Sequence, residues 1–292
     1  MTRWLVTGAG GMLGRDLARV LGATAGARVT AADRAALDVT DPAAVDAAVA
    51  GHDVVVNAAA WTDVDGAQER EEEAARVNGE GPRTLARACA AHGAVLLQVS
   101  TDYVFPGDAS RPYAEDAPTR PVNAYGRGKL AGERAVLGLL PERGFVVRTA
   151  WLYGAHGRNF VTTMLELAGR RETVEVVDDQ VGQPTWSGAL AVRLAELGSA
   201  AVAGRAPGGI YHGTASGQVS WFGLARAVFE LAGLDPRRVR PTTSDRFPRP
   251  APRPAYSVLG HGGWERAQLP PMAAWRDQLG DAMPELVRPS RG

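Results

Sequence analysis

RWLVTGAGGMLG, residues 3–14, runs from a block of apolar residues straight into a cluster of glycines. Consecutive apolar residues that end in glycine predict a short buried strand. The next segment, residues 12–26, has the spacing of a helix. Gly8, Gly11 and Gly14 therefore stand at a strand–turn–helix junction, where missing side chains permit a tight turn and close approach to a pyrophosphate. This context predicts dinucleotide binding rather than a plain turn.

Strand and helix patterns alternate five times in the first half of the chain. The predicted strands cover residues 3–10, 27–33, 52–60, 94–105 and 144–154. Near-continuous apolar strands separated by helical segments predict an α/β fold, a Rossmann-type doubly wound parallel sheet with right-handed crossovers. We expect residues 1–153 to form this dinucleotide-binding domain.

Two details of the helices also follow from the sequence. Asp41 precedes Pro42, which predicts an N-cap followed by the first helical position. Residues 69–93 have a helical pattern, and we expect a break near residues 79–82 because this stretch contains two glycines and a proline.

The regular alternation is lost in residues 154–292. The predicted elements there are helices over residues 159–170, 188–200 and 221–233, strands over 173–179 and 208–214, and a Pro/Arg-rich segment over 246–256. We expect a smaller C-terminal substrate-binding lobe that covers the carboxyl edge of the sheet, where open α/β folds bind ligands. Some of its segments are expected to return to the first domain.

The overall composition excludes several classes of partner and site. The 292 residues include 32 basic and 32 acidic side chains, and the balanced charge argues against a nucleic-acid or membrane-surface partner. Cys89 is the only cysteine, which excludes an intrachain disulfide and favours a cytoplasmic location. The first strand begins too early for a signal peptide, and no apolar run has transmembrane length. The five histidines lack metal-binding spacing, so no metal is expected.

The end of the second predicted strand bears on the choice of cofactor. Asp33 can bind ribose hydroxyls and thereby favour NADH, whereas Arg34 can pair with a 2′-phosphate and favour NADPH. The sequence leaves this choice open. Asp38 either reaches the adenine or caps a turn, and the small residues after Asn57 either admit a cofactor or pack a strand against a helix.

Tyr125 and Lys129 stand four residues apart in PVNAYGRGK, at the start of a predicted helix. Residues with this spacing share one helix face. A free phenol has a pKa near ~10, and we expect the neighbouring ammonium to lower the pKa of Tyr125 towards working pH. Reduction of a ketone needs a hydride and a proton, and Tyr125 is the predicted proton donor.

Several longer motifs carry a resemblance to a known family. They include TGAGGMLG, NAAAWTDVDGAQE, STDYVFPG, PVNAYGRGK, RTAWLYG, DDQVGQPT and RPAYSVL. The chain resembles the extended short-chain dehydrogenase/reductases and, more narrowly, the dTDP-4-dehydrorhamnose reductase family. The resemblance implies an NADPH- or NADH-dependent oxidoreductase. It would reduce the 4-keto group of a dTDP-4-keto-6-deoxyhexose, either dTDP-4-dehydrorhamnose or a related deoxysugar.

The resemblance also implies roles for individual residues. Thr101 would hydrogen-bond the substrate oxygen, and Lys129 would bind the nicotinamide ribose. The implied catalytic residues are Thr101, Tyr125 and Lys129. The predicted cofactor-binding residues are Gly8, Gly11, Met12, Leu13, Gly14, Asp33, Arg34, Asp38, Val39, Ala58, Ala59, Tyr125 and Lys129. The implied substrate-binding residues are Val64, Asp65, Thr101, Asp102, Tyr103, Trp151, Asn159 and Arg253.

Two alternative functions use the same fold. A nucleotide-sugar epimerase shares the Thr/Tyr/Lys set but retains NAD through its cycle. A non-catalytic regulatory subunit, resembling the partner of methionine adenosyltransferase, would keep the fold without the reaction. Trp151 fits either a sugar-stacking wall or a core position, and a homodimer stays open.

Overall fold

The computed structural model describes residues 1–287, and a six-stranded parallel sheet lies at its centre. The strands, in chain order, are β1 (Thr2–Thr7), β2 (Ala27–Ala32), β3 (Val54–Asn57), β4 (Val95–Thr101), β5 (Gly144–Thr149) and β10 (Gly209–His212). Every adjacent pair is parallel. The predicted five-strand parallel sheet is therefore confirmed, and a sixth strand from the second half extends it.

The strand order is β10-β5-β4-β3-β1-β2. The chain moves outward from β1 to β2 and then returns to the other side of β1 at β3. This reversal leaves a crevice beyond the carboxyl ends of β1 and β3, where ligands of open α/β sheets bind.

Helices cover both faces of the sheet. Those of the first half are α1 (Met12–Gly22), α2 (Pro42–Val49), α3 (Val64–Glu69), α4 (Glu71–Ala75), α5 (Gly81–His92) and α6 (Ala124–Leu139). Leucines of α1 pack on one face together with those of α8 (Ser187–Val202), and α2, α5 and α6 bury apolar residues on the other. The doubly wound prediction is confirmed.

The predicted helix starts and breaks have different outcomes. Asp41 caps α2, and its side chain accepts hydrogen bonds from the N–H groups of Ala43 and Ala44, as expected. The expected break at residues 79–82 is wrong. A π-helical turn, Arg76–Glu80, instead joins α4 to α5 without interruption. Pro82 is the second residue of α5, directly after this turn.

The remaining elements form a second cluster. Its strands are β6 (Leu152–Tyr153), β7 (Val174–Val177), β8 (Val181–Gly182), β9 (Thr185–Trp186), β11 (Ala215–Ser216), β12 (Val219–Ser220), β13 (Val239–Thr242) and β14 (Met272–Ala274). Its helices are α7 (Phe160–Ala168), α9 (Trp221–Leu231), α10 (Gly263–Arg266) and α11 (Trp275–Leu286). Residues of α7, α9 and α11 share a separate apolar core. The division of the chain at residue 153 stays a prediction.

The Pro/Arg-rich segment is anchored to the first half of the chain. We call residues 249–254 the strap. The N–H of Ala251 donates to Asp65 Oδ1 at 3.2 Å, and Asn123 Nδ2 donates to the Pro252 carbonyl at 2.9 Å. Asn123 also caps α6 through its Oδ1 atom, so the strap is tied to the start of that helix.

Candidate active site

One cleft of about 1080 Å³ opens at the carboxyl ends of the strands. Its size exceeds that of a typical site for one small ligand and suits a dinucleotide together with a substrate. All of the predicted cofactor and catalytic residues line it. Asp65 and Arg253 are the only predicted substrate residues outside its lining.

The turn that contains Gly8, Gly11 and Gly14, which we call the glycine turn, forms the floor of one end of the cleft. Gly8 has a φ of 68°, and a Cβ atom there would lie 2.6 Å from the backbone nitrogen of Ala59. Only glycine therefore permits this approach of the β1 and β3 loops. Helix α1 begins after Gly11, which supplies no side-chain cap. Its first N–H groups thus lack side-chain partners and can bind a pyrophosphate.

Two carboxylates at the same end of the cleft accept hydrogen bonds from neighbouring residues. Asp33 Oδ1 accepts the N–H groups of Ala35 and Ala36, both at 2.9 Å. Asp38 Oδ1 accepts the N–H and the hydroxyl of Thr40, and these bonds hold the pKa of Asp38 below its usual value. Each carboxylate caps a turn through its Oδ1 atom.

Arginine side chains surround Asp38. Both Arg76 and Arg34 add to the lowering of the Asp38 pKa, and both line the cleft. Arg76 Nη2 donates to Thr40 Oγ1 at 3.1 Å. Arg76 was not predicted from the sequence, because the π-helical turn that places it here has no simple sequence pattern.

Buried amides hold the loops around the cleft. Asn57 accepts the Thr7 hydroxyl at 2.6 Å and donates to Gln98 Oε1 at 2.7 Å, which ties the ends of β1 and β3 to the middle of β4. Asn78, in the π-helical turn, exchanges two hydrogen bonds with the backbone of Trp61. These contacts order the loop of residues 58–62, and neither role was predicted from the sequence.

The three predicted catalytic residues meet in the wall of the cleft. Thr101 ends β4, while Tyr125 and Lys129 lie on successive turns of α6. Lys129 is buried, and its Nζ donates to the Val99 carbonyl at 2.6 Å. Burial lowers the pKa of Lys129 to about 8, although the negative charge of Glu133 opposes the change.

The expected pKa of Tyr125 is wrong for this arrangement. The loss of water around the phenol, followed by the nearby Asp102 charge, raises its pKa above the usual value, while the Thr101 hydroxyl opposes the rise. Lys129 is not among the groups that shift it, and its ammonium donates to the Val99 carbonyl. The phenol therefore keeps its proton at neutral pH.

Asp102 is buried beside these groups. The Thr101 hydroxyl donates to Asp102 Oδ1 at 2.9 Å, and the Tyr103 N–H donates to the same hydroxyl at 3.2 Å. Burial raises the pKa of Asp102 to about 6. The Ser257 hydroxyl is near enough to oppose this rise, yet it lies outside hydrogen-bonding geometry, and Asp102 Oδ2 has no partner within residues 1–287.

An indole pair forms the opposite part of the lining. Trp151 has a φ of 47°, a left-handed conformation that costs a non-glycine residue about 1–3 kcal/mol. The Trp221 ring stacks on it. A Cβ atom at Gly182 would lie 2.5 Å from Trp151 Cε2, so backbone also closely approaches the indole. The Trp151 indole therefore has a fixed position in the cleft lining. Its stacking partner, Trp221, was not predicted from the sequence.

Three other predicted substrate residues have protein partners. Asn159 caps α7 through Oδ1 and donates Nδ2 to the carbonyls of Gly154 and Gly157. Arg253 Nη2 pairs with Asp65 Oδ1 at 3.0 Å. Asn159 still lines the cleft, and Val64 lines it from the start of α3. Ligand contacts for Asn159, Asp65 and Arg253 stay predictions.

Neither a metal site nor a membrane span is found in the described part of the chain. Residues 1–287 contain no group of three or more His, Cys, Asp or Glu side chains that could hold a metal ion. Within the same range, the helices are too short or too polar to cross a bilayer.

Comparisons with known proteins agree with this geometry. Residues 2–288 match the family model described as the RmlD substrate binding domain. A dTDP-4-dehydrorhamnose reductase from Streptomyces griseus is 59% identical over 97% of this chain and 94% of its own length. A dTDP-4-keto-6-deoxy-D-glucose reductase from Streptomyces niveus is 50% identical over 97% of each chain. A dTDP-4-dehydrorhamnose reductase from Bacillus anthracis, crystallised with NADP, has a TM-score of 0.90 at 35% identity and matches over 98% of this chain and 100% of its own.

Proposed function

Because the chain belongs to the dTDP-4-dehydrorhamnose reductase family, we propose that it reduces the 4-keto group of a dTDP-4-keto-6-deoxyhexose with NADPH. The single observation that carries this proposal is the meeting of Thr101, Tyr125 and Lys129 in a cleft that also contains the glycine turn. A ketone bound between them would face a hydroxyl, a phenol and a cation.

The residues at the glycine turn fit a dinucleotide. The N–H groups at the start of α1 have no side-chain cap and would bind the pyrophosphate. Asp33 and Arg34 would hold the adenosine ribose and its 2′-phosphate, and Lys129 the nicotinamide ribose. The bound cofactor supplies the hydride.

Side chains of the protein hold the proton and donate it to the substrate oxygen. Tyr125 holds a proton because its pKa is raised, and an alkoxide that develops at the substrate oxygen is basic enough to take it. Thr101 donates to Asp102 in the free protein, so its hydroxyl proton must turn towards the substrate oxygen. The Tyr103 N–H keeps the Thr101 oxygen in place during this turn. Both hydroxyls then stabilise the developing charge.

We propose dTDP-4-dehydrorhamnose as the first substrate to test. The 59% identical relative is named as a reductase of dTDP-4-dehydrorhamnose. The 50% identical relative is named as a dTDP-4-keto-6-deoxy-D-glucose reductase, which supports a related deoxysugar as the second substrate to test. The test is NADPH oxidation with a panel of dTDP-4-keto-6-deoxyhexoses, followed by NMR of each product. No turnover with any of them would contradict the proposal. Turnover without added cofactor, by protein that carries bound NAD, would favour an epimerase.

Location and assembly are further proposals. A cytoplasmic location agrees with the single cysteine, Cys89, which is buried. The balanced charge of the chain supports a small-molecule substrate rather than a nucleic acid. A homodimer is a hypothesis that light scattering of the purified protein would test.

A further inference from the structure

Lys129 is the only lysine among the 32 lysine and arginine residues of this chain. A buried ammonium differs from a guanidinium because burial readily moves its pKa, whereas arginine stays charged. The protein therefore has one side-chain amine whose charge depends on its surroundings, and that amine lies in the proposed active site.

A buried carboxylate stands one helical turn behind this amine. Tyr125, Lys129 and Glu133 are spaced four residues apart on α6 and share one face. Glu133 is 1% exposed. Its Oε1 atom accepts the Ser100 hydroxyl at 2.6 Å, and Ser100 directly precedes the catalytic Thr101.

The same carboxylate is held by an arginine from the neighbouring strand. Arg148 of β5 is 2% exposed. Its Nε donates to Glu133 Oε1 at 3.0 Å, and its Nη2 donates to Oε2 at 2.8 Å. Two parallel N–H···O bonds are the strong geometry of an arginine–carboxylate pair. Glu133 is thus the carboxylate of a buried ion pair directly behind the catalytic face of α6.

The other titratable groups around this pair do not supply that anion. His212 of β10 approaches Arg148 at 3.4 Å, and burial, with Arg148 second, lowers the His212 pKa to about 3. His212 is therefore neutral at working pH. The Glu115 backbone carbonyl, rather than its carboxylate, accepts from Arg148 at 3.1 Å. The other titratable groups are Asp102 and Tyr125, which lie on the cleft side.

We propose that Glu133 is a positioning residue for the reduction, which keeps Lys129 in its ammonium form and fixes the end of β4 through Ser100. The inference rests on the proposed function, because it assigns Glu133 a role behind the proposed catalytic groups. Burial alone favours a neutral amine at position 129. A neutral amine would be a weaker donor to both the Val99 carbonyl and a ribose hydroxyl.

A purely structural role makes a different prediction. Buried ion pairs can often be replaced by well-packed apolar side chains without loss of stability. If Glu133 only packs, the charge of Lys129 will not depend on it. If Glu133 positions the ammonium, removing its charge while keeping its shape lowers the pKa of Lys129.

The single lysine permits a direct measurement. Protein grown with 13Cε-labelled lysine gives one lysine resonance, which is followed against pH in the full chain without cofactor or substrate. We expect a midpoint of about 8 for the unsubstituted protein. We expect Glu133→Gln to lower the midpoint by about one unit or more. The matched control is Glu71→Gln, since Glu71 pairs with Arg127 of the same helix at the exposed surface, and it should leave the midpoint unchanged.

Activity provides the second readout. The high-pH limb of kcat/KM should move to lower pH in Glu133→Gln by the same amount as the midpoint. If this variant does not fold because Arg148 is left unpaired, Glu133→Gln/Arg148→Met removes both charges and should still lower the midpoint. Equal midpoints with and without Glu133 would overturn the inference. The NMR titration needs no substrate, so an error in the proposed reaction would not imitate this result.

Discussion

The indole of Trp221 lies flat on the indole of Trp151, with ring centroids 3.5 Å apart and an interplanar angle of 5°. Trp151 follows β5, whereas Trp221 begins α9 of the second cluster, and both line the cleft. The stack therefore joins the two halves of the chain at the site itself. It also fixes the left-handed backbone of Trp151, since a residue in this conformation needs strong tertiary support.

Trp221→Ala should weaken substrate binding while leaving the cofactor end intact. An aromatic pair contributes about 0.5–1.5 kcal/mol beyond its buried area, so we expect the KM for the nucleotide sugar to rise about 2- to 12-fold. The measurement is steady-state kinetics at saturating NADPH. Trp221→Phe is the control, because it keeps a stacking ring. An unchanged KM in the alanine variant would remove Trp221 from the substrate wall.

Tyr125→Phe removes only the proton source. We expect kcat to fall by about 10²–10⁴, the usual contribution of one acid–base group. NADPH affinity, measured by fluorescence titration, should stay close to that of the unsubstituted protein, because the ring is retained. Turnover near the original rate would show that another group protonates the product.

Arg34→Ala should penalise NADPH selectively. Loss of a charged hydrogen bond to a 2′-phosphate lowers affinity by about 10-fold or more, and NADH has no such group. The measurement is kcat/KM with both cofactors. Arg28→Ala is the control, since Arg28 is an exposed residue of β2, the strand that precedes Arg34. A variant that retains its preference for NADPH would assign the phosphate to other residues, with Arg76 as the next candidate.

Asp102→Asn should stabilise the protein at neutral and alkaline pH. The folded-state pKa of Asp102 is raised to about 6 from 3.8, so the folded state favours the protonated acid. The contribution of this group to stability therefore falls as pH rises from 3.8 to about 6, and the full cost remains above that range. Asparagine carries no such cost. We expect a gain of about 1–3 kcal/mol in the free energy of unfolding at pH 8, and little gain near pH 4.

Urea unfolding at both pH values would measure this effect. Asp108→Asn serves as the control, because the Asp108 carboxylate is largely exposed and pairs with Arg120 at the surface. Equal gains for Asp102→Asn at pH 8 and pH 4 would show that the buried charge is not their source.

The Asp65–Arg253 pair can be tested with a double-mutant cycle. The two side chains are 26% and 20% exposed, and they join α3 to the strap. Alanine at either position should lower stability, and the double variant should cost less than the sum, with a coupling of about 0.5–1 kcal/mol. Steady-state kinetics of the single variants would test a second role for Arg253, in substrate binding. A rise in nucleotide-sugar KM for Arg253→Ala that Asp65→Ala does not share would support the predicted contact of Arg253 with the substrate.

Local patterns predicted much of the molecule because their causes are local. The glycine turn follows β1 since apolar residues and missing side chains lie together in the chain, and Asp41 caps α2 since a cap needs only its neighbours. The π-helical turn at residues 76–80 was missed for the opposite reason. It is supported by distant contacts, among them Asn78 with Trp61 and Arg76 with Thr40.

The amino-acid sequence alone determined the parallel α/β fold, the glycine turn and the position of Tyr125 and Lys129 on one helix face. The reason is that the period of the hydrophobic pattern and helical spacing are properties of neighbouring residues. Only the tertiary structure decided the charge state of the site. It brought Trp221 onto Trp151, Arg148 onto Glu133 and Arg253 onto Asp65. It also raised, rather than lowered, the pKa of Tyr125, since burial and charge depend on groups that are far apart in the chain.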